Sequence, residues 1–129
     1  MKVTKKKVKI KKLVNKLKKL VYSYVFERDQ SICQKCGKYV TGSNRHPSHI
    51  IPQSKGNALK FDPMNILTLC FYDHMIFWHK NPVEAGEWFK KKFPDRLKYL
   101  LKHKNKIVKF KELDYLTMIN YWENLKGGI

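Results

Sequence analysis

The segment His46-Pro47-Ser48-His49-Ile50-Ile51-Pro52 sets two histidines and a β-branched pair ahead of a proline. His49-Ile50-Ile51 reads as a short strand, because β-branched residues suit a pleated surface and Pro52 cannot continue a ladder. Gln53 to Lys60 is a polar loop, and Phe61-Asp62-Pro63-Met64-Asn65 is rich in turn formers. A second short apolar strand follows at Ile66–Leu69, and from Cys70 to about His79 the chain is expected to be helical. Two short strands and a helix therefore lie close together. Four of the five histidines, His46, His49, His74 and His79, fall among them. His103 stands apart in a basic stretch and reads as a solvated residue.

Upstream, Cys33-Gln34-Lys35-Cys36-Gly37 is a C-x-x-C-G knuckle. Two thiolates at this spacing can share one metal ion, and the glycine supplies the positive φ of the tight turn. Taken alone the pair could also be a redox couple. Cys70-Phe71-Tyr72-Asp73 repeats the spacing with aspartate, itself a legitimate zinc ligand, in the last place. Three cysteines at close spacing argue against a disulfide framework. Cys33, Cys36, Cys70 and Asp73 are therefore expected to hold a structural zinc ion, which would supply folding free energy to a small core.

The string Ser48-His49-Ile50-Ile51-Pro52, then Asn65-Ile66-Leu67-Thr68-Leu69-Cys70, then Asp73-His74 resembles the HNH (ββα-metal) endonuclease signature. The longer string from His46, with His79-Lys80-Asn81-Pro82 later, is similar to phage recombination nucleases of the NinG and Ref type. The resemblance covers about residues 31–90. It implies a strand–loop–strand–helix unit clamped around one divalent cation. It makes His49 the general base that activates a water, Asn65 the brace of the loop that aims it, and His74 a metal ligand. Two departures stand out. Ser48 occupies the place of a metal ligand before the base, and His46 is the candidate to take it over. Trp78 occupies the place of a second helix ligand, and His79, one residue further on, reaches the site if the helix ends or loosens before Asn81-Pro82.

The flanks are basic. Lys and Arg number 28 against 10 Asp and Glu, for a formal net charge of +18, and only Arg28, Arg45 and Arg96 are arginines. Such a field attracts polyanions, and lysines grip phosphates as point charges with little sequence readout. Lys5, Lys6, Lys7, Lys11, Lys12, Arg45, Lys55, Lys60 and Lys80 are the expected DNA contacts, with the lysines between Lys90 and Lys111 extending the basic surface. The first nine residues read as a disordered basic tail, followed by an amphipathic helix from about Ile10 to Arg28. Asn81-Pro82-Val83-Glu84 reads as a helix start with a side-chain cap on Asn81. That helix should run to about Phe93, followed by one over about Asp95–Lys102 and a last one from about Glu112 to Leu125. The aromatics among them are expected to pack rather than stack on bases.

The expected fold class is α+β: a small ββα-metal unit with a zinc knuckle, flanked and covered by helices. Residues 1–28 form a basic arm, and 29–129 the nuclease domain, with its zinc/ββα core at 31–80 and covering helices at 82–126. The expected function is metal-dependent hydrolysis of DNA phosphodiesters, with recombination or branched DNA as a candidate substrate. The alternative is a non-catalytic zinc module that binds nucleic acid. The implied cofactors are structural Zn²⁺ and a catalytic divalent cation, Mg²⁺ or else Mn²⁺, Ni²⁺ or Zn²⁺. The implied partners are the DNA backbone and a recombination protein, with no membrane. The expected location is the cytoplasm of a bacterial host, if the source is a phage or prophage.

Overall fold

A computed structural model describes residues 4–52 and 57–127, the last two by backbone alone. The elements in order are α1 (Lys5–Arg28), β1 (His46–His49), β2 (Ile66–Leu69), a π-helical segment (Asp73–Trp78), α2 (Pro82–Lys92), α3 (Pro94–His103) and α4 (Glu112–Gly127). This is an α+β architecture. Two strands pair antiparallel, with His46 opposite Leu69 and His49 opposite Ile66. Among the described residues no helix is long and apolar enough to cross a membrane.

All four residues of β2 are buried. Alternation along a strand sends Leu67 and Leu69 to one face and Ile66 and Thr68 to the other. Leu67 and Leu69 join Cys33, Val40, Ile50, Leu59, Cys70, Phe89 and Leu100 in a core under α2 and α3. Ile66 joins Leu17, Val21, Val25, Phe61 and Ile119 in a second core between α1 and α4. The sheet is thus covered on both sides. Trp78, Trp88 and Phe93 pack against the first core, with Trp78 meeting Phe89 edge-on at 6.2 Å.

Three boundaries differ from expectation. Helix α1 starts at Lys5 rather than near Ile10, so residues 5–9 of the expected tail are helical, while residues 1–3 lie outside the described residues. Thr4 caps it, its hydroxyl accepting from the Lys7 amide at 3.2 Å. Lysine is a good helix former, and α4 anchors the exposed face through Lys9–Glu112 (2.7 Å) and Lys16–Glu123 (2.8 Å). Strand β1 covers His46–His49, not His49–Ile51. Residues 50 and 51 bond to Asn65 instead of continuing the ladder: the Ile50 amide donates to the Asn65 carbonyl and the Ile51 amide to its side chain, both at 2.8 Å. Finally, Asn81 does not cap α2 with its side chain. Its amide nitrogen reaches back to the Ile76 carbonyl at 3.0 Å, closing the preceding helix.

Candidate metal and nuclease site

The knuckle closes as its glycine requires. Gly37 has φ +80°, and its amide donates to the Cys33 carbonyl at 2.8 Å. A helical turn begins right after Cys70 and leads into the π segment, whose first residue, Asp73, is buried. One ligand atom from each of Cys33, Cys36, Cys70 and Asp73 lies within 4.8 Å of all the others. Asp73 Oδ2 is 3.1 Å from Cys33 Sγ and 3.3 Å from Cys70 Sγ. Burial pushes the Cys33 thiol up to about 12 and raises Cys70, with the Asp73 carboxylate adding to both shifts. Three sulfurs and a carboxylate at this separation suit a four-coordinate ion, so the donor set fits a structural metal.

Asn65 is buried and fully engaged. Its side-chain oxygen accepts from the Ile51 amide, and its nitrogen donates to the carbonyls of Ile51 (3.0 Å) and Leu59 (3.3 Å). It thereby ties the two ends of the loop that follows His49. His49 Nε2 is 3.1 Å from the Lys60 carbonyl. A carbonyl only accepts, so Nε2 carries the hydrogen, and Nδ1 keeps its lone pair with no hydrogen-bond partner among the described residues. Burial lowers the His49 pKa, the Lys60 carbonyl raises it, and the charges of Lys18 and Lys60 lower it further. The ring is therefore neutral near pH 7. Tyr22 of α1 meets His49 edge-on at 6.1 Å.

His46, His74 and His79 form a chain. His46 Nε2 lies 2.8 Å from the Ser43 carbonyl, so His46 Nδ1 is an acceptor, and it faces His74 Nδ1 at 2.9 Å. His74 Nε2 in turn faces His79 Nε2 at 3.1 Å. Burial, then the charges of His79, His46 and His49, push His74 down to about 4, leaving it an unprotonated candidate ligand. Two structural devices gather the set. Along β1, His46 and Ser48 share a face by the two-residue alternation, so His46 stands on the side that Ser48 serves. The Ser48 hydroxyl is itself buried with no hydrogen-bond partner among the described residues. In the helix, the His79 amide donates to the His74 carbonyl across five residues. This wider π turn carries His79 back over His74, where a regular α-helix would favour a residue four along. The donors fit a divalent cation in kind. However, His74 meets His46 and His79 with opposite ring nitrogens, so no single nitrogen faces both neighbours.

The sequence model of the family described as HNH endonuclease matches residues 33–76. The chain carries an HNH domain. The matched stretch holds the knuckle, His46, His49, Asn65 and His74, while His79 lies beyond it. No curated protein and no solved structure matches the chain. An HNH domain supports nuclease-type action on DNA, and the Cys₃Asp group could hold a metal ion.

Residues not singled out from the HNH sequence support the same loop. Arg28 donates to the carbonyls of Pro63 and Ile66, both at 2.7 Å, and forks onto Asp29 at 2.9 and 3.0 Å. Arg96 donates to Met64, Pro63 and Ile66 at 2.6, 3.1 and 2.8 Å. Asp29 also accepts from the Thr68 amide at 2.9 Å. Two guanidinium groups thus clasp the turn that carries Asn65. Burial, then the neighbouring Arg28, lower Arg96 to about 10. The scarcity of arginine among so many lysines was the available signal. Of the expected DNA contacts, Lys5, Lys6, Lys7, Lys11 and Lys12 lie exposed along α1, and Lys80 is exposed after the π segment. Lys60 borders His49, and Arg45 lies over the Phe26 ring at 4.3 Å with a bond to Ser31. Lys55 lies outside the described residues.

Proposed function

We propose that this chain is a metal-dependent DNA endonuclease in which His49 is the general base. The observation that carries the reading is the orientation of His49: Nε2 is fixed on the Lys60 carbonyl, Nδ1 keeps its lone pair with no partner among the described residues, and the loop behind it is tied by Asn65. In this reading His49 Nδ1 takes a proton from the attacking water. Asn65 positions the loop, and Lys60 and Lys18 offer charge to the phosphate beside it. His74 would hold a divalent cation through one ring nitrogen, with His46 on its Nδ1 side or His79 on its Nε2 side as the second ligand, and that cation would supply charge stabilisation at the phosphate and the leaving oxygen. We assign Cys33, Cys36, Cys70 and Asp73 to a structural zinc, and the lysines of α1, with Lys80, to the DNA backbone. The resemblance to recombination nucleases makes branched DNA the first substrate class to try.

The test is nicking of plasmid and branched DNA by purified protein with Mg²⁺ or Mn²⁺, beside His49→Ala. Wild type should cut, and the variant should bind without cutting. Binding by both with cutting by neither would favour a non-catalytic zinc module instead.

A further inference from the structure

Against the histidines lies a second feature, a cavity of about 350 Å³ walled by Ile50, Ile51, Pro52, Trp78, Pro82, Ala85, Gly86, Phe89 and Leu97. His49 and His79 form its wall on the side of the site. The volume falls in the lower part of the range for small-ligand sites, about 300–1,000 Å³. Among the described residues, the two imidazoles are the only ionisable side chains that line it. It therefore suits a flat, uncharged ring and not a phosphate.

One face of α2 makes the room. Pro82, Ala85, Gly86 and Phe89 follow the i, i+3, i+4, i+7 spacing of a single helix face. Gly86 sits inside the helix, where glycine is the least favourable residue after proline. A Cβ built on Gly86 meets nothing within 4 Å. A side chain at this position would therefore extend into the open space beside the cavity.

We propose that this cavity receives one unstacked base of the DNA strand whose phosphate lies at the histidines. The proposal rests on the nuclease reading for its placement. The shared wall of His49 and His79 puts the opening beside the site where a nucleotide would bind, and the chain's net charge of +18 favours a polyanion as the molecule that brings the ring there. Trp78 lines the cavity, and stacking on an aromatic ring tolerates any base. The lining offers little to read a base edge, so the pocket should discriminate by structure and not by sequence. Extruding a base costs least where it is mismatched or already unpaired. The enzyme should then prefer single-stranded, mismatched or branched DNA over a perfect duplex.

The test is photocrosslinking of the full chain to single-stranded oligonucleotides carrying an iodinated uracil, without added catalytic metal, with crosslinks mapped by mass spectrometry. Crosslinks on Trp78 or on the segment 82–89 are expected, and they should fall in the order wild type, Gly86→Ala, Gly86→Leu, Gly86→Phe as the cavity fills. Cleavage of mismatched over paired DNA should exceed tenfold in wild type and approach unity in Gly86→Phe. Far-ultraviolet circular dichroism checks the fold of each variant, and the wild-type crosslink map stands without them. Crosslinks confined to other elements, or unchanged by filling the cavity, would overturn the proposal. The two readings fail separately: cutting without a crosslink here removes the base pocket alone, and a crosslink here without cutting removes the nuclease alone.

Discussion

His79 Nε2 lies 3.1 Å from His74 Nε2 because the helix between them widens to π turns. A single alanine inserted after Ile76 should rotate His79 off that face while leaving Asp73 in the sulfur cluster. We expect cutting to fall about 100-fold, the upper end for disturbing a metal site's supporting contacts, with the structural metal retained by elemental analysis. Loss of that metal would show instead that the insertion disrupted the knuckle.

The depressed His49 pKa fixes the sign of the acid limb. A general base works unprotonated, so the rate should hold below the ordinary imidazole value of about 6.5 and fall only as the pH drops through the lowered one. A single-turnover pH profile reads this. Its acid limb should move up toward the ordinary value when Lys18 and Lys60 are both replaced by methionine.

His74 gives a matching stability effect in protein free of catalytic metal. Its folded value near 4 lies below the unfolded one, so the unfolded chain binds the extra proton between them. The contribution is complete above about pH 6.5 and is lost as the pH falls toward 4. Denaturant midpoints across that window should decline less in His74→Gln than in wild type. Equal slopes would remove His74 as the source.

The Cys₃Asp cluster should carry one metal ion per chain, and that ion should hold the fold together. Small zinc domains draw on the order of 10 kcal/mol from their metal. A strong chelator, or Cys33→Ala, should abolish cooperative melting, whereas Asp73→Cys should bind zinc more tightly by offering a softer ligand. Unchanged melting after the ion is removed would argue that the two hydrophobic cores suffice.

Arg28 and Arg96 are expected to act through Asn65. Arg96→Lys replaces a fork bonded to three carbonyls with a single ammonium. The loss should be about 1.5–3 kcal/mol of stability, the worth of a hydrogen bond to a charged group. It should lower kcat more than it raises KM. A change in KM alone would place Arg96 at the DNA surface.

Much of this was legible in the sequence. The knuckle and the second strand could be read because local spacing encodes them, and the order His49, Asn65, His74 came from the resemblance to the HNH signature. The helix boundaries at Pro82, Pro94 and Glu112 followed from proline and periodicity. The first strand was misplaced because Ile50-Ile51 has strand chemistry, yet its backbone bonds go to Asn65, fourteen or more residues away. The π turns were illegible because hydrophobic spacing does not separate them from an α-helix over so short a run. The arginines were ambiguous, since one side chain can serve phosphate or carbonyl and tertiary packing chooses. Arg28 and Arg96 went to carbonyls, and Arg45 to an aromatic face.

The most direct measurement is the single-turnover cleavage rate of supercoiled plasmid with Mg²⁺ or Mn²⁺ at saturating protein, for wild type, His49→Ala, and His49→Ala with added imidazole. The account predicts cutting by wild type, a loss of at least about 100-fold in the variant, as general-base removal allows, and partial recovery with imidazole, at equal DNA binding throughout. Equal rates for wild type and His49→Ala, or no cutting by wild type with either cation, would contradict it.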